Sequence, residues 1–133
     1  MGIEVKDFSG EGMSRVYENQ KWMVGIKNWK PANDISGIDC LERHRETDEL
    51  FVLLSGQCTL IYADGNDQNP DIKALKMEPF KVYNIPAGLW HNTVTRKDTK
   101  MALVEDSATG SHNSDVWPLK QDQIAQVKKL FKL

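Results

Sequence analysis

The sequence predicts an all-β body, a sandwich or barrel, followed by one short amphipathic helix at the C-terminus. Short runs rich in β-branched and aromatic residues recur between positions 14 and 106, each bounded by turn-forming residues. Helical periodicity is weak until the end of the chain. A length of 133 residues is near the commonest domain size, and dividing it would leave each half to build a core from roughly sixty-five residues. One domain over 1–133 is therefore expected.

The expected strands are 14–19, 22–29, 37–44, 49–55, 58–64, 72–77, 81–86, 91–96 and 100–106. The "SGQ" after Leu54 reads as a tight hairpin in which Gly56 takes positive φ, and "DGNDQNPD" as a longer hairpin loop. Pro86 and Gly88 force another turn. The polar "SATGSHNSD" reads as a loop, with His112 at the surface. Beyond it, over about 119–132, Ile124, Val127, Leu130 and Phe131 form one stripe of a helix. The lysines in its last turn suit the helix dipole.

Charge and hydropathy exclude several classes of function. A net charge of -2 with no Lys/Arg stripe leaves no face to neutralise phosphates, so no nucleic-acid partner is expected. The longest apolar run, 50–54, is far too short to cross a bilayer. The opening "MGIEVKDFSG" carries acids where an export signal has basic then apolar residues, and Lys6 stands where a myristoylation signal wants Ser or Thr. A cytoplasmic protein without a membrane partner is the expectation. Cys40 and Cys58 then read as reduced, buried thiols, at a spacing unlike that of zinc knuckles.

The stretch "CLERHRETDELFVLLSG" holds most of the chemistry. Alternation along an extended strand puts Cys40, Glu42 and His44 on one face, with Leu41 and Arg43 on the other. In the next strand Glu49, Phe51 and Leu53 share a face, and the intervening residues are also apolar, so Glu49 stands at the mouth of a buried strand. A carboxylate there needs a hydrogen-bonding, charged or metal partner. The turn "RETD" would bring it alongside His44. In "NIPAGLWHNTVT" the Pro86–Gly88 turn delivers His91, which shares a face with Thr93 and Thr95. If that face is interior, Glu42, His44, Glu49 and His91 converge as a four-ligand set. The plainer alternatives are hydrogen-bonded strand histidines, a rim Glu49 paired with Arg43 or Arg45, and a solvent-facing Glu42. Trp22, Trp29, Phe51 and Tyr62 read as packing, and Trp90 as a pocket-rim residue.

These residues resemble the two motifs of the cupin superfamily. The first motif runs histidine, any residue, histidine, a few residues, glutamate, and glycine seven residues later; His44, Glu49 and Gly56 stand at the second histidine, the glutamate and the glycine. The second motif, proline, any residue, glycine, two residues, histidine, is present as Pro86, Gly88 and His91. The resemblance covers about 22–106 and implies a small single-domain cupin: a double-stranded β-helix, or jelly-roll barrel. It also implies that Glu42, His44, Glu49 and His91 hold a divalent metal ion. The chain departs from the pattern at Glu42, which replaces the first histidine, at Phe80, which replaces a glycine, and at Thr95, which replaces an asparagine. Two imidazoles and two carboxylates form a harder ligand set than three imidazoles and one carboxylate, and lean toward iron, manganese or zinc over copper. The implied function is binding of that metal and of a small polar metabolite, a sugar or organic acid, with isomerase, lyase or oxygenase chemistry. The alternative is a non-catalytic binding or sensing module, with or without metal. A homodimer, formed through sheet faces or the strands at 14–29, is implied by the same resemblance.

Overall fold

Strand alternation decides which side chains meet inside this protein, and sheet order decides which strands supply them. The computed structural model describes residues 2–64 and 70–131. Its strands are β1 (Met13–Glu18), β2 (Trp22–Asn28), β3 (Cys40–His44), β4 (Glu49–Ser55), β5 (Cys58–Asp64), β6 (Asp71–Lys76), β7 (Val82–Ile85), β8 (Trp90–Thr95), β9 (Lys100–Asp106) and β10 (Ser114–Pro118). One helix, α1 (Gln121–Phe131), follows. Two five-stranded sheets form, in the orders β1-β2-β9-β4-β7 and β10-β3-β8-β5-β6. Every pairing is antiparallel.

The inward faces enclose one apolar core, in which Met23, Phe51, Leu53, Leu60, Met101 and Leu103 are buried. A second core lies on the other face of the second sheet, where Leu41, Ile61, Ile72 and Val94 pack with Leu119 and Val127. The stripe on α1 covers this face: Ile124, Leu130 and Phe131 pack there too, and the Arg96 guanidinium lies 4.9 Å from the Phe131 ring centroid. The second sheet is therefore covered on both faces, which is why its strands do not show clean polar alternation.

Three expectations change. The "SGQ" segment is a corner between sheets and not a hairpin, because β4 pairs with β7 and β9 whereas β5 pairs with β6 and β8. Gly56 does adopt positive φ, at 70°, and a Cβ there would lie 2.4 Å from the Asp98 carbonyl oxygen. The end of the presumed loop "SATGSHNSD" begins β10, which pairs with β3 from Ser114↔His44 to Pro118↔Cys40. An edge strand ending in proline and carrying two polar residues has little strand signal of its own. The β3 strand is also shorter than expected. A single 3-10 turn at Pro31–Asn33 precedes it, and Gly37 packs so closely on this turn that a Cβ would meet the Pro31 carbonyl oxygen at 2.1 Å. The "DGNDQNPD" loop lies largely outside the described residues, but its flanking strands pair from Thr59↔Lys76 to Asp64↔Asp71, as a hairpin requires.

Phe80, where the cupin pattern has glycine, has φ 66° and is 77% exposed. A side chain in the left-handed region is strained, and this one recovers little by burial. Phe80→Gly is expected to stabilise the protein by about 1 kcal/mol, since the strain removed exceeds the entropic cost of glycine. An unchanged or lower urea midpoint would refute this.

Candidate metal centre

Glu42 and His44 project from the same face of β3, and Glu42 is directly opposite His91 in the β3–β8 pairing. Glu49, at the start of β4, comes from the facing sheet. The two motif segments are tied together through backbone: the Gly88 N–H donates to the His44 carbonyl at 2.7 Å, and the Ala87 N–H to Asp48 Oδ1 at 2.8 Å. The φ of 84° at Gly88 permits that turn. Consequently His91 Nε2 lies 3.1 Å from Glu49 Oε1, and His44 Nε2 lies 3.5 Å from the same oxygen. The two imidazole centroids are 5.6 Å apart. The "RETD" turn does bring Glu49 to His44, but across the barrel and not as the adjacent strand of one sheet.

Burial makes this grouping costly unless it is compensated. Glu49 is 4% exposed and His91 2%. The His91 Nδ1 contacts the Leu89 carbonyl at 2.9 Å; a carbonyl only accepts, so Nδ1 donates and Nε2 is directed at Glu49. The His44 ring is fixed by Nδ1 to Ser114 Oγ at 2.8 Å, while its buried Nε2 has no hydrogen-bond partner among the described residues. Burial alone would raise the Glu49 pKa, but the close contact of His44, the hydrogen bond of His91 and the charge of both outweigh it and hold the carboxyl at about 2. The Glu49 carboxylate in turn raises the His44 pKa. The cluster thus keeps a carboxylate ionised in the interior by placing cationic or cation-ready groups on it.

A third carboxylate, absent from the sequence reading, completes the group. Glu105 near the end of β9 is 9% exposed, and its Oε1 is 3.8 Å from His44 Nε2. Glu42 is at 3.9 Å from the same nitrogen, with a side chain 45% exposed. Ligand atoms of Glu42, His44 and His91 converge within 4.8 Å, as do those of His44, Glu49 and Glu105. The signal for Glu105 was available in the alternation Met101, Leu103, Glu105, the first two of which are buried. Ser114 gave none, since β10 was not expected.

A divalent cation fits these residues. The orphaned Nε2 of His44, the Nε2 of His91 freed by its Leu89 contact, and the ionised Glu49 are donors of the right kind. Each histidine is oriented through its other ring nitrogen, the arrangement usual for metal-bound imidazoles.

Other expectations resolve around this centre. Arg43 and Arg45 pair with Asp115 on β10, not with Glu49. Trp90 is not at the pocket rim: because His91 faces in, its neighbour faces out, and Trp90 packs edge-on against Trp117 at 5.4 Å beneath the Arg43 guanidinium at 4.4 Å. Both cysteines are free thiols. Burial pushes Cys58 up to about 12, so it is an inert core residue.

Beside the cluster is a cavity of about 160 Å³ lined by Glu42, Glu49, His91, Glu105, Phe51 and Lys27, among others. Lys27 comes from β2 and was also missed. Burial lowers its pKa, and the charges of Glu49 and Glu42 oppose that shift. A second cavity of about 140 Å³, largely apolar, is also bordered by His91, together with Leu60, Leu75, Tyr83 and Leu89.

The closed pair of sheets, with both motif segments meeting inside, is the cupin fold: a jelly-roll barrel with a C-terminal helix. No protein-family model and no curated protein sequence matches the chain. Among solved structures it is similar to a cupin-2 domain protein from Shewanella frigidimarina, at 16% identity and TM-score 0.54, over 74% of this chain and 84% of that one. It is similar to Streptomyces Pac13, described as a nucleoside dehydratase, at 9% identity and TM-score 0.62, over 87% of each chain. It is also similar to the oxalate decarboxylase of Bacillus subtilis, at 14% identity and TM-score 0.55, over 80% of this chain and 29% of that one. At these identities the likeness is one of fold. Among the described residues no helix is long and apolar enough to cross a membrane.

Proposed function

We propose that this protein binds one divalent metal ion at His44, Glu49 and His91, with Glu42 or Glu105 supplying a further carboxylate, and acts on a small polar molecule held in the adjoining cavity. The observation that carries the reading is the buried, unpartnered Nε2 of His44 directed at an ionised Glu49 that His91 also meets. When bound, the ion would polarise a carbonyl or carboxylate of the substrate. The chain's own residues do the rest. Leu89 and Ser114 fix the two imidazoles, and Phe51 and Leu103 form apolar walls that limit water beside the site. The carboxylate of Glu42 or Glu105 that is not a ligand is positioned to accept or return a proton within the cavity. The ligand set, rich in carboxylate, favours iron, manganese or zinc. Proteins of similar fold include an oxalate decarboxylase, a nucleoside dehydratase and a hydroquinone dioxygenase, which supports a metal-assisted reaction on a small polar molecule of the lyase or oxygenase class.

A second reading, a metal-free binding module, is favoured by the 3.1 Å contact of His91 with Glu49, which satisfies both groups if the imidazole is protonated. The proposal extends to a homodimer through the outer face of the first sheet, where Tyr17 and Trp22 stack at 5.1 Å yet stay about half exposed. One purified sample tests both parts. Expression with added iron, manganese and zinc should give close to one equivalent of metal by elemental analysis, and light scattering should give twice the chain mass. Less than about a tenth of an equivalent would overturn the metal reading, and a monomer mass would overturn the dimer.

A further inference from the structure

The cavity beside the metal cluster has a cationic wall that the cluster itself does not use. On β2 the inward register runs Met23, Gly25, Lys27, opposite Glu105, Leu103 and Met101 of β9. Gly25 is closely packed, since a Cβ there would lie 3.0 Å from the Met13 sulfur and 3.1 Å from Leu103. The strand therefore presents Lys27 as its one long polar group to the interior, where it lines the same cavity as Glu42, Glu49, His91 and Glu105. Glu49 and Glu42 act on it through their charge, yet among the described residues Lys27 has no hydrogen bond or ion pair. An ammonium that faces a cavity, half-buried and uncommitted, is a group awaiting an acceptor.

The charges indicate what kind of acceptor. Three carboxylates line the cavity, against Lys27 and the more exposed Lys30. With neutral imidazoles, and with Lys27 as the ammonium that the Glu49 and Glu42 charges favour against its burial, that balance is one negative charge, and a divalent cation at the cluster makes it one positive charge. A neutral sugar would leave that excess unmatched, while a monoanion would cancel it. Size sets a second limit, because a cavity of about 160 Å³ is close to one that just admits benzene, or roughly six heavy atoms.

We propose that the ligand of this cavity is a small organic monoacid, of the size of a three-carbon oxo acid, whose carboxylate is held by Lys27 while its other oxygen functions face the metal cluster. The proposal rests on the metal reading above and narrows its ligand class from sugars and acids to acids. Lys27 is then a specificity-determining residue and not merely a counter-charge to Glu49 and Glu42.

Pyruvate and its uncharged analogue pyruvamide separate these roles, because they are nearly the same shape and differ by the charge that Lys27 would read. In calorimetric titrations of the metal-loaded protein, pyruvate should bind about tenfold or more tighter than pyruvamide, the size of a charge-assisted hydrogen bond. Lys27→Met should bring the two affinities to within about twofold of one another, chiefly by weakening pyruvate, with metal content unchanged. Lys27→Arg should keep the preference. Equal binding of the two compounds by the unsubstituted protein overturns the proposal without any variant, so a misfolded Lys27→Met does not protect it. A preference that survives in a folded Lys27→Met overturns it as well. Protein that takes up no metal but prefers pyruvate, and loses that preference in Lys27→Met, overturns the metal reading and the charge balance drawn from it while keeping the Lys27 contact. Protein that holds metal and treats pyruvate and pyruvamide alike sinks this proposal alone.

Discussion

Replacing His91 with alanine is expected to strip the protein of bound metal. His91 is 2% exposed, is fixed by Leu89, and contacts Glu49 at 3.1 Å, so no other side chain can swing into its position without unpacking β8. Loss of a residue that merely orients a ligand costs about 10- to 100-fold in metal affinity, and loss of a ligand should cost more. Metal content of His91→Ala should fall below about a tenth of an equivalent under conditions that load the parent protein. The substitution also leaves Glu49 buried with one partner fewer, a destabilisation on the order of 3 kcal/mol, so folding must be checked by circular dichroism on the same sample. A folded His91→Ala with unchanged metal content removes His91 from the centre. The two candidate carboxylates respond oppositely if only one is a ligand. Glu105→Gln should lower metal content more than Glu42→Gln, because Glu105 is 9% exposed while the side chain of Glu42 is 45% exposed. The reverse order would assign the role to Glu42, the residue that stands where the cupin pattern has a histidine.

The second large effect is on acid stability after the metal has been chelated. The Glu49 pKa is depressed from 4.5 to about 2 in the folded protein, so its contribution is present above the unfolded value and is lost as the pH falls toward about 2. A shift of that size corresponds to a contribution on the order of 3 kcal/mol. His44 is shifted the other way, upward from 6.5, so its contribution is full below 6.5 and is lost as the pH rises through the folded value. The metal-free cluster should therefore be most stabilising between about 4.5 and 6.5. Urea denaturation as a function of pH should show the parent protein losing stability more steeply below pH 4.5 than Glu49→Gln, in which this carboxyl no longer titrates. Identical acid limbs for the two proteins would mean that Glu49 is not held ionised by the histidines. Bound metal should steepen the acid limb and remove the alkaline one, because it holds Glu49 and His44 deprotonated in the folded protein and protons compete with it as the pH falls.

Much of the barrel was legible because its signals are local. The period-two alternation of Cys40, Glu42 and His44, and of Glu49, Phe51 and Leu53, needs only the backbone geometry of a strand, and it assigned these faces correctly. Gly56 and Gly88 mark positive φ wherever they fall in the fold, and both adopt it. The approach of His44, Glu49 and His91 was legible only through the motif spacing, since no local rule relates residues from three strands in two sheets. Trp90 was misplaced by its adjacency to His91, although adjacency in a strand means opposite faces. Glu105 was missed although its alternation with Met101 and Leu103 marks the inward face, because a glutamate at a strand end is ordinarily solvated.

The sequence by itself determined the β-rich character, the strand faces, the amphipathic helix and the two motif segments, all set by interactions between residues close in the chain. Only the tertiary structure decided that "SGQ" turns a corner between sheets, that β10 exists, and that Glu105 and Lys27 line the same cavity as the histidines. The physical reason is that strand order is fixed by closure of the barrel. A short strand such as β10 is held by its pairing with β3 and not by its own propensity, and β9 lies between β2 and β4 because the sheet must fill that position. That order gives Glu49 a third carboxylate and an uncommitted ammonium as neighbours, and no run of residues along the chain encodes it.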